Sequence, residues 1–137
     1  MDRVCHFEVP YDDKDRMEKF YSNVFGWQFI PAPGEVPYMF AMTTPVNEQM
    51  MPANVGGING GTYQRPEDEA PAARHPVIVL EVEDCAQKIK DIEAGGGSNV
   101  IGPEPVGEMG IYAQVKDTEG NIIGLWQPLG KGDCSEE

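Results

Sequence analysis

The sequence predicts an α+β domain in which two tandem βαβββ modules form one curved mixed sheet around a concave cavity, with helices outside. Three observations predict it. The order strand, capped helix, three strands occurs twice. A segment rich in Pro, Ala and acidic residues, from Arg65 to Arg74, separates the two runs. One βαβββ unit cannot bury both faces of its sheet, so two must combine around a common core.

The elements follow in order. Val4 to Val9 reads as a strand ended by Pro10 and an acidic turn, where Asp12 or Asp13 caps a helix. Met17, Phe20, Tyr21 and Val24 fall at i, i+3, i+4 and i+7 and form an apolar stripe, which Gly26 ends. Phe25 and Trp27, aromatics at the helix end, are expected in the core. Trp27 to Ile30 is a short strand before the turn Pro31 to Gly34, and Tyr38 to Thr43 is another. Residues 44–54 read as a loop, and Val55 to Tyr63 is a glycine-rich, poor strand.

The second run opens with a strand from His75 to Val82, Val77, Val79 and Glu81 on one face and Ile78, Leu80 and Val82 on the other. Asp84 caps a helix whose stripe is Cys85, Ile89 and Ile92, closed by Gly95 to Gly97. Weak strands follow near Asn99 to Ile101 and Ile111 to Lys116. A hairpin turn over Asp117 to Asn121 leads into a last strand, Ile122 to Gln127. Val4–Val9 matches Val77–Val82, and Gly61–Gln64 matches Gly124–Gln127. The expected division is one domain over 1–130, with modules at about 1–64 and 75–130, a linker at about 65–74 and a polar tail at 131–137.

Composition excludes several classes of function. The chain has 137 residues, enough for one core, and 40% of them are hydrophobic. Its formal net charge of -13 would repel a phosphate backbone, and its basic residues form no stripe, so nucleic acid is not an expected partner. No apolar run approaches the roughly 20 residues of a membrane span, and the N-terminus lacks the apolar core of a secretion signal, so a cytoplasmic location is expected. Cys5, Cys85 and Cys134 are an odd number at wide spacing, which fits neither a disulfide framework nor a structural zinc site. Cys5 and Cys85 read as small core residues.

Three segments carry a resemblance: His6-Phe-Glu-Val-Pro10, the helix end Glu18-Lys-Phe-Tyr-Ser-Asn-Val-Phe-Gly-Trp27, and Asp117-Thr-Glu-Gly-Asn121 before the final strand. With these the chain resembles the vicinal oxygen chelate superfamily, which includes glyoxalase I, extradiol dioxygenases and bleomycin-resistance proteins. The likeness covers about Val4 to Pro128. It implies four metal-ligand positions on the concave sheet, which in this chain are His6, Gly61, Val77 and Gly124. His6 alone can coordinate a metal, whereas a catalytic divalent ion commonly needs three protein ligands. The chain is thus expected to be a metal-ligand-depleted, glyoxalase-like member with no cofactor. His75 lies two residues before Val77, roughly 7 Å along the strand, and with Glu8 and Glu81 could in principle rebuild a site.

By strand alternation the cavity walls are expected to include His6, Glu8, Val77, Val79, Glu81, Ile122, Gly124 and Trp126, with room left by Gly60, Gly61 and Gly124. The first reading is a metal-free small-molecule-binding protein, in which Trp126 stacks on a ligand and His6 or Glu8 hydrogen-bonds it. The second is a lyase or isomerase using a rebuilt metal site or metal-free acid–base catalysis, with His6, Glu8 and Glu81 as candidate catalytic residues. A purely structural reading has His6 bonded to a neighbour, Glu8 and Glu81 facing water at the cavity mouth, and Trp126 plugging the cavity. The resemblance also implies a homodimer.

Overall fold

A computed structural model describes residues 1–33, 37–65 and 75–129. Gly34, most of the expected linker, the polar tail and Cys134 lie outside these residues. The first half is β1 (Val4–Tyr11), α1 (Lys14–Phe25), β2 (Gln28–Pro31), β3 (Tyr38–Met42) and β4 (Gly60–Gln64). The second is β5 (Val77–Glu81), α2 (Cys85–Ala94), β6 (Ser98–Val106), β7 (Gly110–Lys116) and β8 (Ile122–Pro128). All eight strands form one curved mixed sheet in the order β2-β3-β4-β1-β5-β8-β7-β6. β1 and β5 meet antiparallel at its centre, and each is flanked by the last strand of its own half, running parallel to it.

Local chemistry accounts for the helix ends. Asp13 caps α1, its carboxylate accepting from the Arg16 amide at 3.0 Å, and Asp84 caps α2 by accepting from the Gln87 amide at 3.1 Å. Gly26 ends α1 at a φ of 77°, in the left-handed region where a side chain would strain the backbone. In the turn before β8, Asp117 Oδ1 accepts from the amides of Glu119 and Asn121, which sets the hairpin register.

The main core lies under α2. Val82, Cys85, Ile89, Ala113, Val115 and Leu125 form it, with Ile92, Ile111 and Ile123 packed against them. α1 touches the sheet much less and buries no residue fully. Its predicted stripe divides: Met17 and Tyr21 are half-buried, whereas Phe20 and Val24 are exposed. The expectation of a core Phe25 fails as well, since the residue is 60% exposed. Trp27 is half-buried, with Tyr21 stacked on it at 4.5 Å between ring centres and Phe7 at 5.5 Å. Periodicity marks the apolar side of a helix; it does not say that the fold covers all of it.

Three strands differ from expectation, the first being β4, which opens only at Gly60 rather than at Val55. β5 starts only at Val77, because Pro76 gives no ladder donor, and His75 is left exposed outside the strand. β6 runs nine residues despite Gly102, Pro103 and Pro105. It is an edge strand, where proline is tolerated, and register shifts absorb the irregularity. The internal repeat is offset too. Glu8 lies opposite Gly61 and Val79 opposite Gly124, so the two glycines, taken as equivalent, relate Glu8 to Val79 and His6 to Val77. The sequence match of Val4–Val9 with Val77–Val82 is therefore two residues out of step.

Candidate functional site

Strand register determines which side chains share the face opposite the helices. His6 pairs with Val79 and Glu8 with Val77 across the centre of the sheet. On one side Glu8 neighbours Gly61, which pairs with Phe40, while Tyr63 pairs with Tyr38. On the other, Gly124 pairs with Gln114 and Trp126 with Tyr112. Glu81 lies beside Trp126. The structure therefore gathers the predicted wall residues on one face. Sequence reasoning missed Tyr38 and Tyr112, which occupy its centre.

Glu8 is the hub. It is 4% exposed, so the expectation that it faces water is corrected. Tyr38 Oη donates to Glu8 Oε2 at 2.9 Å and Tyr112 Oη donates to Oε1 at 2.5 Å. Gln114 Nε2 donates in turn to the Tyr112 hydroxyl at 2.8 Å, and His6 Nε2 lies 3.0 Å from the Tyr38 hydroxyl. Tyr38 has one proton and gives it to Glu8, so His6 must donate through Nε2–H, leaving Nδ1 as its acceptor. Every donor in the chain from His6 to Gln114 thus points towards one carboxylate.

Burial sets the charge states. It pushes Glu8 above the usual carboxylate range, and hydrogen bonds from Tyr112, Tyr38 and Gln114 oppose that rise. Burial lowers His6 to about 4, so at neutral pH the ring is uncharged and suited to the tautomer just derived. Both phenols are raised, by burial first and by the neighbouring Glu8 next. They remain protonated donors.

The room expected at the glycines is not there. A Cβ on Gly61 would come within 1.8 Å of the Tyr38 hydroxyl. One on Gly124 would meet Val79 at 2.9 Å and the Tyr112 ring at 3.4 Å. Gly60 faces the opposite side, where a Cβ would strike Phe7 at 2.6 Å; consecutive strand residues point to opposite faces. The Trp126 ring lies over Gly110, where a Cβ would meet it at 2.6 Å. Ile122 begins β8 opposite Lys116, at the far end of this face.

The divalent ion implied by the resemblance does not fit these residues. Gly61, Val77 and Gly124 offer no side-chain donor, and the Tyr38 hydroxyl takes the space beside Gly61. His6 Nε2 is engaged by that same hydroxyl. Among the described residues no three His, Cys, Asp or Glu side chains converge as a cation site.

Two βαβββ halves sharing a curved sheet, with polar side chains gathered at the centre of one face, define a glyoxalase-type fold. The family model of the Glyoxalase/Bleomycin resistance protein/Dioxygenase superfamily matches residues 3–125, and the chain belongs to that superfamily. A glyoxylase-like domain-containing protein of Didymella fabae is 28% identical over 133 residues, 94% of this chain and 96% of that protein. CFP32 of Mycobacterium bovis is 24% identical over 126 residues, 88% of this chain, which spans only 43% of that relative. Among solved structures, methylmalonyl-CoA epimerase from Mycobacterium tuberculosis aligns at a TM-score of 0.58 with 15% identity, covering 93% of this chain and 88% of that one. The hypothetical protein BH1468 of Bacillus halodurans aligns at 0.61 with 12% identity, covering 96% and 98%. At these identities the structural likenesses speak for the fold alone.

Proposed function

We propose that this chain is a small-molecule-binding protein of the glyoxalase/bleomycin-resistance type that works without the usual divalent metal. The observation that carries the reading is the Tyr38 hydroxyl, which stands where a ligand side chain on Gly61 would stand and joins His6 to Glu8. Phenol donors and a buried carboxylate take the place of an ion and its ligands. The binding residues in this reading are His6, Glu8, Val77, Val79, Glu81, Gly124 and Trp126, joined by Tyr38 and Tyr112. The division at about residues 64 and 75 into two modules, a cytoplasmic location and a homodimeric state belong to the same proposal. No helix among the described residues is long and apolar enough to cross a membrane.

Calorimetric titration of metal-stripped protein with nickel, zinc, manganese and iron(II) tests the reading. The expected result is no binding tighter than about 1 μM, roughly 8 kcal/mol. Tighter binding that disappears in His6→Ala would overturn it.

One observation favours a second reading, a metal-free acid–base lyase or isomerase. Glu8, whose proton affinity burial raises and which two phenols flank, stands where a general base would take a proton. Catalysed solvent-deuterium exchange into a dicarbonyl–thiol adduct, lost in Glu8→Gln, would separate it from simple binding.

A further inference from the structure

Among the described residues, the cluster on the concave face holds a negative group and no positive one. Both Glu8 oxygens accept from neutral phenols, and among the described residues no Lys or Arg side chain bonds to it. The neighbouring imidazole is uncharged at neutral pH. A carboxylate removed from water without a counter-charge is unfavourable, and hydrogen bonds from neutral groups offset only part of that cost. A carboxylate offers about four acceptor positions, of which the phenols fill two.

Around this group the face is aromatic. Tyr38, Phe40, Tyr63, Tyr112 and Trp126 all lie on it by strand register. Aromatic faces attract cations and also cover the apolar part of an organic ion. Beyond the site, the net charge of -13 draws cations towards the whole molecule. A neutral or anionic ligand would leave Glu8 uncompensated or repel it. A bare metal ion would make no use of the aromatic side chains.

We propose that the concave site takes a small organic cation, an alkyl- or arylammonium, with its charge compensating Glu8 and its apolar part against the aromatic side chains. The proposal rests on the metal-free binding reading and adds the class of ligand.

The test is calorimetric titration of the full chain with benzyltrimethylammonium, benzyl alcohol and benzoate, in about 0.3 M salt to screen diffuse attraction to the acidic surface. Benzyltrimethylammonium is expected to bind at least about tenfold more tightly than the alcohol, and benzoate more weakly than either. Glu8→Gln should erase the difference between cation and alcohol. The wild-type protein gives a readout that does not depend on that variant folding. That readout is the order of affinities ammonium, alcohol, benzoate, measured on the wild-type chain alone. Alcohol bound as tightly as the ammonium, or no binding by any of the three, would overturn the proposal. The metal titration reports separately on the reading beneath it.

Discussion

Gly61→Ala asks whether the Tyr38 hydroxyl truly fills the space beside Gly61. The added methyl carbon would lie 1.8 Å from Oη, 2.0 Å from Cζ and 2.3 Å from Cε1 of Tyr38. Contact between such atoms is comfortable at about 3.5 Å, so the ring must withdraw by roughly 1.5 Å. The Tyr38 bonds to Glu8 at 2.9 Å and His6 at 3.0 Å would then stretch beyond hydrogen-bonding range. Loss of a hydrogen bond to a carboxylate and one to a neutral ring costs about 2–4 kcal/mol, and residual crowding adds about 1. The stiffer unfolded chain returns about 0.5 kcal/mol, leaving a net loss of about 3.

In a Tyr38→Ala background the obstacle and both bonds are already gone, so the same Gly61→Ala change should be neutral or stabilise by about 0.5 kcal/mol. The double-mutant cycle, measured by urea unfolding at constant slope, should therefore show a coupling of about 3 kcal/mol. An equal effect of Gly61→Ala in both backgrounds would refute the packing argument.

His6 has its pKa lowered on folding, from 6.5 to about 4, so the folded state binds fewer protons in between. Its contribution of about 3 kcal/mol is complete above pH 6.5 and lost as pH falls through 4; subtracting the unfolding profile of His6→Gln isolates it. Phe20→Ser on α1 should cost less than about 0.5 kcal/mol, because the ring is exposed, whereas Ile89→Ala on α2 should cost about 2–4 by thermal or urea unfolding. The Cys85 thiol, fully buried and pushed up to about 11, should stay unmodified by Ellman's reagent at pH 8 until urea opens the α2 core.

The order of elements was legible because each signal was local: Asp13 and Asp84 as caps, Gly26 as a stop, Asp117 to Asn121 as a tight turn. The shared face of His6, Glu8, Val77 and Val79 followed from alternation along two strands. Tyr112 was within reach of the same logic. Counting back from the turn pairs Lys116 with Ile122, then Gln114 with Gly124, then Tyr112 with Trp126. Tyr38 was not, because its register depends on a pairing across the long connection from Met42 to Gly60. A glycine in place of a ligand announces a gap, but not which distant side chain fills it. On α1 the period located the apolar side, and nothing in the spacing revealed that Phe20 and Val24 stay uncovered.

The two donors to Glu8 come from opposite wings of the sheet, Tyr38 on β3 and Tyr112 on β7, with the carboxylate on a central strand. Neither half alone can complete the set. Any bending or flattening of the sheet lengthens or shortens these bonds and so alters how readily Glu8 holds a proton. The acidity of a single side chain thereby becomes a gauge of the curvature of the whole molecule, and an occupant that pries the wings apart would announce itself by proton uptake.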